Sequence, residues 1–241
     1  MPERVRDASE SALATAVNHL IARLPDGDRD RLLAVCEPVE LALSTVLCER
    51  GESTAWAWFP TGSFISLVSL VGGHGGVEVG MVGSEGMVGA QLALGVPTSP
   101  LRALVQGAGP AWRVAADDLA RQLAGSAALR DVMNQYVYVL MSQQATSAAC
   151  LRFHQIDRRL ARWLLMSQDR ARATSFHVTQ EFLAYMLGVR RVGVTVAAGR
   201  LQRAGLIEYH RGELTVLDRG ALELAACDCY AADNATYAAL L

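Results

Sequence analysis

Residues 177–218 read HVTQEFLAYMLGVRRVGVTVAAGRLQRAGLIEYHRGELTVLD, and this stretch decides the fold of the C-terminal part. Thr179 suits a helix N-cap, because its hydroxyl accepts one of the orphan backbone N–H groups of a first turn. Glu181 falls in that turn, where the helix dipole favours a carboxylate. Leu183, Ala184 and Leu187 share one face, and Gly188 permits the sharp turn that follows. A second helix is expected from about Arg190, with Val194, Ala197, Ala198 and Leu201 inward at the spacing of a single helical face. Arg191, Val192, Thr195, Val196, Gly199 and Arg203 are left on its other side. An aliphatic inner face with small or basic residues outward suits the major groove of double-stranded DNA, where N-terminal Arg side chains reach phosphates or base edges. Residues 206–209, the turn Arg211-Gly212 and residues 214–217 predict a hairpin by alternation and turn chemistry. Two helices and a hairpin make a winged helix-turn-helix; the alternative is a small α+β subdomain packed for structure alone.

Charge agrees with the first reading. The chain has 241 residues and a net charge of −2, but residues 151–219 carry twelve Arg against six acids, a local excess of +6. The remainder holds ten Arg and eighteen acids. A basic C-terminal segment beside an acidic N-terminal one is what contact with a polyanion requires, and ordinary solvated surface is the alternative. Every basic residue apart from histidine is Arg, a compositional bias that also suits bidentate contact with phosphate and guanine. Hydrophobic residues at 51% supply a sizeable core and exclude a disordered chain. The polar start MPERVRDASE and the lack of a long apolar run predict a cytoplasmic protein with no membrane partner.

Upstream, Ala12, Ala16, Leu20 and Leu24 predict a helix ending at Pro25-Asp26-Gly27, with a second short one over residues 30–35. Over residues 39–114, short apolar segments (41–47, 55–59, 64–71, 77–82, 101–105 and 111–114) alternate with glycine-bearing turns, the signature of an antiparallel barrel or sandwich. Asp117 opens a short helix. From residue 127 to 167 the pattern is helical with little interruption. Met133, Val137, Leu140, Gln144, Ser147 and Leu151 form one stripe, and Val132, Tyr136 and Val139 widen it. A helix apolar on more than one face needs more than one partner, here the barrel and the same helix of a second subunit.

The core T-Q-E-F-L-A-x-M-L-G-V-R-R with L-x-R-A-G-L-I following resembles the DNA-binding domain of the cyclic-AMP receptor protein/Fnr (Crp/Fnr) family of bacterial transcription regulators. The resemblance implies an α+β fold. It consists of an N-terminal β-roll (a double-stranded jelly-roll like cyclic-nucleotide-binding domains), a long dimerisation helix, and a C-terminal winged helix-turn-helix. The corresponding boundaries are 1–126, 127–167 and 168–241. It further implies a homodimer on an inverted-repeat operator, with RNA polymerase as a further partner and no enzymatic activity. In base reading, Arg191 holds the family's first position, while Val192 and Val196 replace the usual Glu and second Arg. They suit apolar contact with thymine methyls. Thr179, Gln180, Arg190 and Gly193 fall where the family contacts the DNA backbone, and Arg203 adds a basic contact.

The cyclic-nucleotide grip is altered. Family members hold the ribose and cyclic phosphate with a Gly-Glu-Leu turn and a downstream Arg-Ser/Thr pair. Here Glu85 precedes Gly86, Ser99-Pro100 stands where the pair would fall, and Arg102 is displaced by an odd register that faces it the other way in a strand. Glu85, Gly86, Ser99, Arg102 and Tyr136 remain the candidate effector-binding residues, with no cofactor or effector assigned. An N-terminal iron–sulfur cluster lacks its cysteines, the first being Cys36. Cys227-x-Cys229 offers two metal ligands, but no third or fourth stands at a suggestive spacing, so no metal is expected. His74 is expected in an exposed glycine-rich turn, and Ser84 lacks a hydrolase nucleophile elbow.

Overall fold

The structure, a computed structural model, describes residues 17–72 and 75–241. Ala12, Ala16 and His74 lie outside the described residues. The chain divides into two compact units, one built from residues up to Ile65, Val82–Tyr138 and Leu241, the other from Ser66–Met81 and Val139–Leu240.

Among the described residues, the first unit begins with two short helices, α1 (His19–Ala22) and α2 (Asp26–Leu33). The first helix ends just before Pro25-Asp26-Gly27 as expected, and the same tripeptide starts the next one: Pro25 is the N-cap, and Asp26 and Asp28 sit in the first turn. Along the chain follow strands β1 (Glu37–Leu41), β2 (Val46–Cys48), β3 (Trp56–Pro60), β4 (Phe64–Val71), β5 (Gly75–Val82), β6 (Arg102–Gly107) and β7 (Gly109–Ala115), of which most of β4 and β5 falls in the second unit. They form sheets of order β1-β7-β3 and β2-β6-β4-β5, the expected β-roll. The strand expected over 41–47 is split, because Ser44 adopts a left-handed φ of 65° and its N–H turns away to Val105 O at 2.9 Å. Asn18, fully buried, braces the roll: its Nδ2 donates to Pro60 O at 2.9 Å and Gly86 O at 2.8 Å, and its Oδ1 accepts from Leu20 N at 3.1 Å. Its side-chain amide is fully paired, so burying it leaves no orphan donor or acceptor to incur a desolvation penalty.

Helix α3 (Ala116–Gly125) leads to the long α4 (Ala127–Phe153), whose start is capped by Ser126 Oγ accepting from Leu129 N at 3.0 Å. The helix expected to run on to 167 stops here. Gln155 is extended (φ −69°, ψ 157°) and a separate α5 (Ile156–Ala171) begins. The buried stripe of α4 comprises Leu129, Val132, Met133, Tyr136, Val139, Gln143, Ser147 and Cys150; Gln144 is exposed instead.

In the second unit, β8 (Ser175–His177), α6 (Gln180–Leu187), α7 (Arg191–Arg203), β9 (Ile207–His210) and β10 (Glu213–Val216) make the winged helix-turn-helix, followed by α8 (Arg219–Ala225) and α9 (Cys229–Leu240). The wing has three strands, β8-β10-β9. Trp163 of α5 is the hub: its ring meets Phe176 of β8 and Phe182 of α6 edge-on, each at 6.5 Å. Leu160, Leu164, Leu183, Val194, Leu201 and Leu214 are buried in the same unit, each aliphatic side chain of that kind contributing about 1.5–3 kcal/mol.

Candidate nucleic-acid interface

Thr179 caps α6 as its sequence predicts, its Oγ1 accepting from Phe182 N at 3.1 Å. At the other end Gly188 takes a left-handed φ of 61°, with Gly188 N donating to Tyr185 O at 3.2 Å and Val189 N to Ala184 O at 3.0 Å. This paired C-terminal cap is the geometry a glycine after a helix permits. Helix α7 then starts at Arg191 after the extended Arg190, and the two helices are bent by 106° relative to each other. That is a helix-turn-helix angle.

The inward face of α7 is Val194, Ala197, Ala198 and Leu201, all buried. Arg190, Arg191, Thr195 and Arg203 are exposed, and so are two aliphatic side chains, Val192 at 66% and Val196 at 49%. Gln180 and Thr195 are brought together, the Thr195 hydroxyl donating to Gln180 Oε1 at 2.6 Å. Gly193 is half-buried and sits over α5: a Cβ there would lie 2.9 Å from Ile156 Cδ1, so its small size serves helix packing. The wing closes through Arg211 and Gly212, both left-handed (φ 50° and 89°), as a two-residue hairpin of this twist requires. Val178 N donates to Gly212 O at 2.7 Å and Tyr209 Oη to Val178 O at 2.6 Å, so the wing is fastened to the start of α6.

Part of the basic excess is structural. The buried Arg159 donates to Leu187 O at the C-terminal end of α6, where the dipole welcomes a cation. Arg162 is buried against Asp233 at 2.5 Å, and Arg219 pairs with Asp169 and Glu223 at 2.8 and 2.9 Å. The exposed basic side chains around the turn and wing are Arg190, Arg191, Arg203 and Arg211.

Each candidate effector residue has an internal partner. Glu85 Oε1 accepts from Gly83 N at 3.0 Å. Gly86 lies under Tyr136, whose hydroxyl would be 2.3 Å from any Cβ there and donates to Met87 O at 3.0 Å. Ser99 Oγ donates to Leu101 O at 2.6 Å, and Arg102 forks onto Glu49, with both contacts at 2.9 Å. Tyr136 is fully buried, whereas Tyr138 is exposed.

The expectation that Cys227 and Cys229 stand alone as possible ligands is corrected by the fold. Cys150, His154, Cys227 and Cys229 converge, their ligand atoms all within 4.8 Å of one another. The overlooked signal was Cys150-x-x-x-His154, a spacing that puts both side chains on one helical face. The thiols share protons: Cys150 is pulled well below the usual thiol range, chiefly by the hydrogen bond with Cys227, which pushes Cys227 up in turn. Burial pushes Cys229 up to about 11.

A helix-turn-helix followed by a three-stranded wing is a module of the winged-helix class. Residues 158–225 match the family model of the Crp-like helix-turn-helix domain. No curated protein matches the chain. Solved structures do. A Crp/Fnr-family transcriptional regulator from Eubacterium rectale is 16% identical, with 86% of this chain and 96% of that one covered and a TM-score of 0.67. FixK2 from Bradyrhizobium japonicum is 13% identical, covering 80% and 98%, with a TM-score of 0.68. A CRP-family transcriptional regulator from Thermus thermophilus is 20% identical, covering 78% and 96%, with a TM-score of 0.63. The chain thus has the fold of these Crp/Fnr-type regulators, with a Crp-like helix-turn-helix domain over residues 158–225. No single helix among the described residues is long and apolar enough to cross a membrane.

Proposed function

We propose that the protein is a transcription regulator that binds an inverted-repeat operator as a homodimer and is not gated by cyclic AMP. The observation that carries DNA reading is the outer face of α7. Arg191, Val192, Val196 and Arg203 are all exposed there, on a helix held by the Thr195–Gln180 hydrogen bond. Two valines on an exposed helical face have no role in the core, and thymine methyls give them one. Contacts from Thr179, Gln180 and Arg190 to the DNA backbone would fix the register.

Pairing of two chains is supported by α4. Tyr138, Met141, Ala145 and Ala148 are exposed at alternating spacings of three and four, the seam of a two-stranded coiled coil. Tyr138 is 61% and Met141 64% exposed, large apolar areas that a second copy of α4 covers. Against cyclic AMP stand the Glu49 carboxylate, which already neutralises Arg102, and Tyr136, which fills the space over Gly86. RNA polymerase as a further partner and a cytoplasmic setting complete the proposal, with no effector assigned. Selection from random duplex DNA tests it: enrichment of an inverted repeat supports it. Retention that is salt-sensitive but blind to sequence points instead to a small-molecule-binding β-roll protein whose helix-turn-helix does not read DNA.

A further inference from the structure

We infer that Cys150, His154, Cys227 and Cys229 form a closed, structural zinc site that staples the C-terminal helix α9 to the end of α4. The inference is independent of DNA reading.

The distances are those of ligands around one ion. Cys150 Sγ and Cys227 Sγ are 3.6 Å apart, and Cys229 Sγ and His154 Nδ1 are 3.5 Å apart. A tetrahedral zinc with Zn–S of about 2.3 Å and Zn–N of about 2.0–2.1 Å sets its ligand atoms roughly 3.8 Å (S···S) and 3.5 Å (S···N) apart. A disulfide needs about 2.05 Å between sulfurs, so the 3.6 Å pair is not one. An iron–sulfur cluster interposes bridging sulfides and several irons, spreading its protein ligands further than a set confined within 4.8 Å allows. Three thiolates and an imidazole in this shape suit zinc, and with four protein ligands no position is open for substrate.

The surroundings are built for the same purpose. His154 continues the turn of α4, its N–H donating to Cys150 O at 3.1 Å, so both ligands project from one face. Cys227, in the short link after α8, and Cys229, the first residue of α9, flank Asp228. The three cysteines form a buried cluster. Asp228 Oδ1 lies 3.4 Å from His154 Nε2, which orients the ring with Nδ1 toward the sulfurs, the carboxylate–histidine–metal arrangement of protein zinc sites. Three thiolates and one neutral imidazole leave zinc with a net charge of −1. Arg162, buried beside Cys150 and Cys227, offsets that charge while holding Asp233 of α9 at 2.5 Å. Buried cysteines packed as small hydrophobes would need neither the histidine with its carboxylate nor the guanidinium.

The test uses the full-length protein. Metal analysis of protein purified without chelator is expected to give about one zinc per chain. Exchange with cobalt(II) should give the strong visible bands of tetrahedral cobalt together with thiolate charge-transfer absorption. Cys150→Ser and Cys227→Ser should lose both, Cys36→Ser should keep both, and Asp228→Asn should weaken zinc binding about 10–100-fold. Should the serine variants not fold, alkylation of the wild type decides. Cys150, Cys227 and Cys229 should be protected with zinc bound and become reactive once a chelator removes it, while Cys36 and Cys48 are unaffected by the chelator. Substoichiometric zinc with no tetrahedral cobalt spectrum, or alkylation that ignores the chelator, overturns the site.

Discussion

The Thr195 hydroxyl on α7 donates to Gln180 Oε1 on α6 at 2.6 Å, a bond that spans the turn of the helix-turn-helix. The same hydroxyl approaches Arg191 O at 3.2 Å, so its one proton is shared between orienting the two helices and following its own helix. Exposed hydrogen bonds contribute little to stability, about 0.5–1.5 kcal/mol. The effect of this one should therefore appear in DNA binding rather than in folding. Thr195→Val should shift the urea midpoint by less than about 1 kcal/mol of stability and weaken operator binding by a larger factor. Equal, small changes in both would remove the orienting role.

Arg191 and Arg203 should separate by kind of contact. Arg191→Ala is expected to cost roughly 1–3 kcal/mol and to relax specificity at one base pair in each half-site. Arg203→Ala should weaken binding to all sequences alike and flatten the salt dependence by about one unit of slope. Titrations at several salt concentrations, on operator and scrambled DNA, measure both. Unchanged selectivity in Arg191→Ala contradicts its assignment as a base reader.

Val192 and Val196 should read methyl groups. Replacing thymine by deoxyuracil in the operator removes only the methyl, and it should weaken the wild type at one or two positions per half-site. The same replacement should leave Val192→Ser,Val196→Ser unaffected at those positions. A wild type indifferent to deoxyuracil at every position would leave the two valines without a contact.

Glu78 gives the second unit a pH dependence. Burial pushes its carboxyl up to about 7, against the Ser66 hydroxyl that donates to it at 2.6 Å and the charges of Arg162 and Arg170. The folded protein therefore holds this proton more tightly than the unfolded chain, whose ordinary value is 4.5. Stability from this group is full below about pH 4.5, is lost as pH rises through about 7, and is flat above, by at most about 3 kcal/mol. Glu78→Gln should remove that decline from the difference between wild-type and variant unfolding curves. A difference constant with pH from 4.5 to 7 would contradict the shift.

The helix-turn-helix was legible because its determinants are local: a capping threonine, a glycine at a left-handed position, and aliphatic residues at helical spacing. The wing's third strand was not, since Ser175–His177 is three residues long and carries no alternation to mark it. The break after Phe153 was hidden for a similar reason. Neither glycine nor proline announces it, and the apolar pattern of α4 runs straight into that of α5. Ser44 concealed the split of the first expected strand, because a left-handed serine leaves no compositional trace. The candidate effector residues depended on partners far along the chain, with Arg102 answered by Glu49, 53 residues away. The cysteine–histidine cluster joins residues 77 apart, so the sequence held its two halves, Cys227-x-Cys229 and Cys150-x-x-x-His154, with nothing local to join them.

The central claim is that two copies of α7 occupy successive major grooves of one operator. Hydroxyl-radical footprinting on a selected site tests it most directly. The account predicts two protected patches related by two-fold symmetry and separated by about one helical turn, roughly 10–10.5 base pairs. Met141→Glu, by placing a charge in the α4 seam, should reduce them to weak protection at high protein concentration. A single asymmetric patch, or even protection across the whole fragment, would contradict the claim.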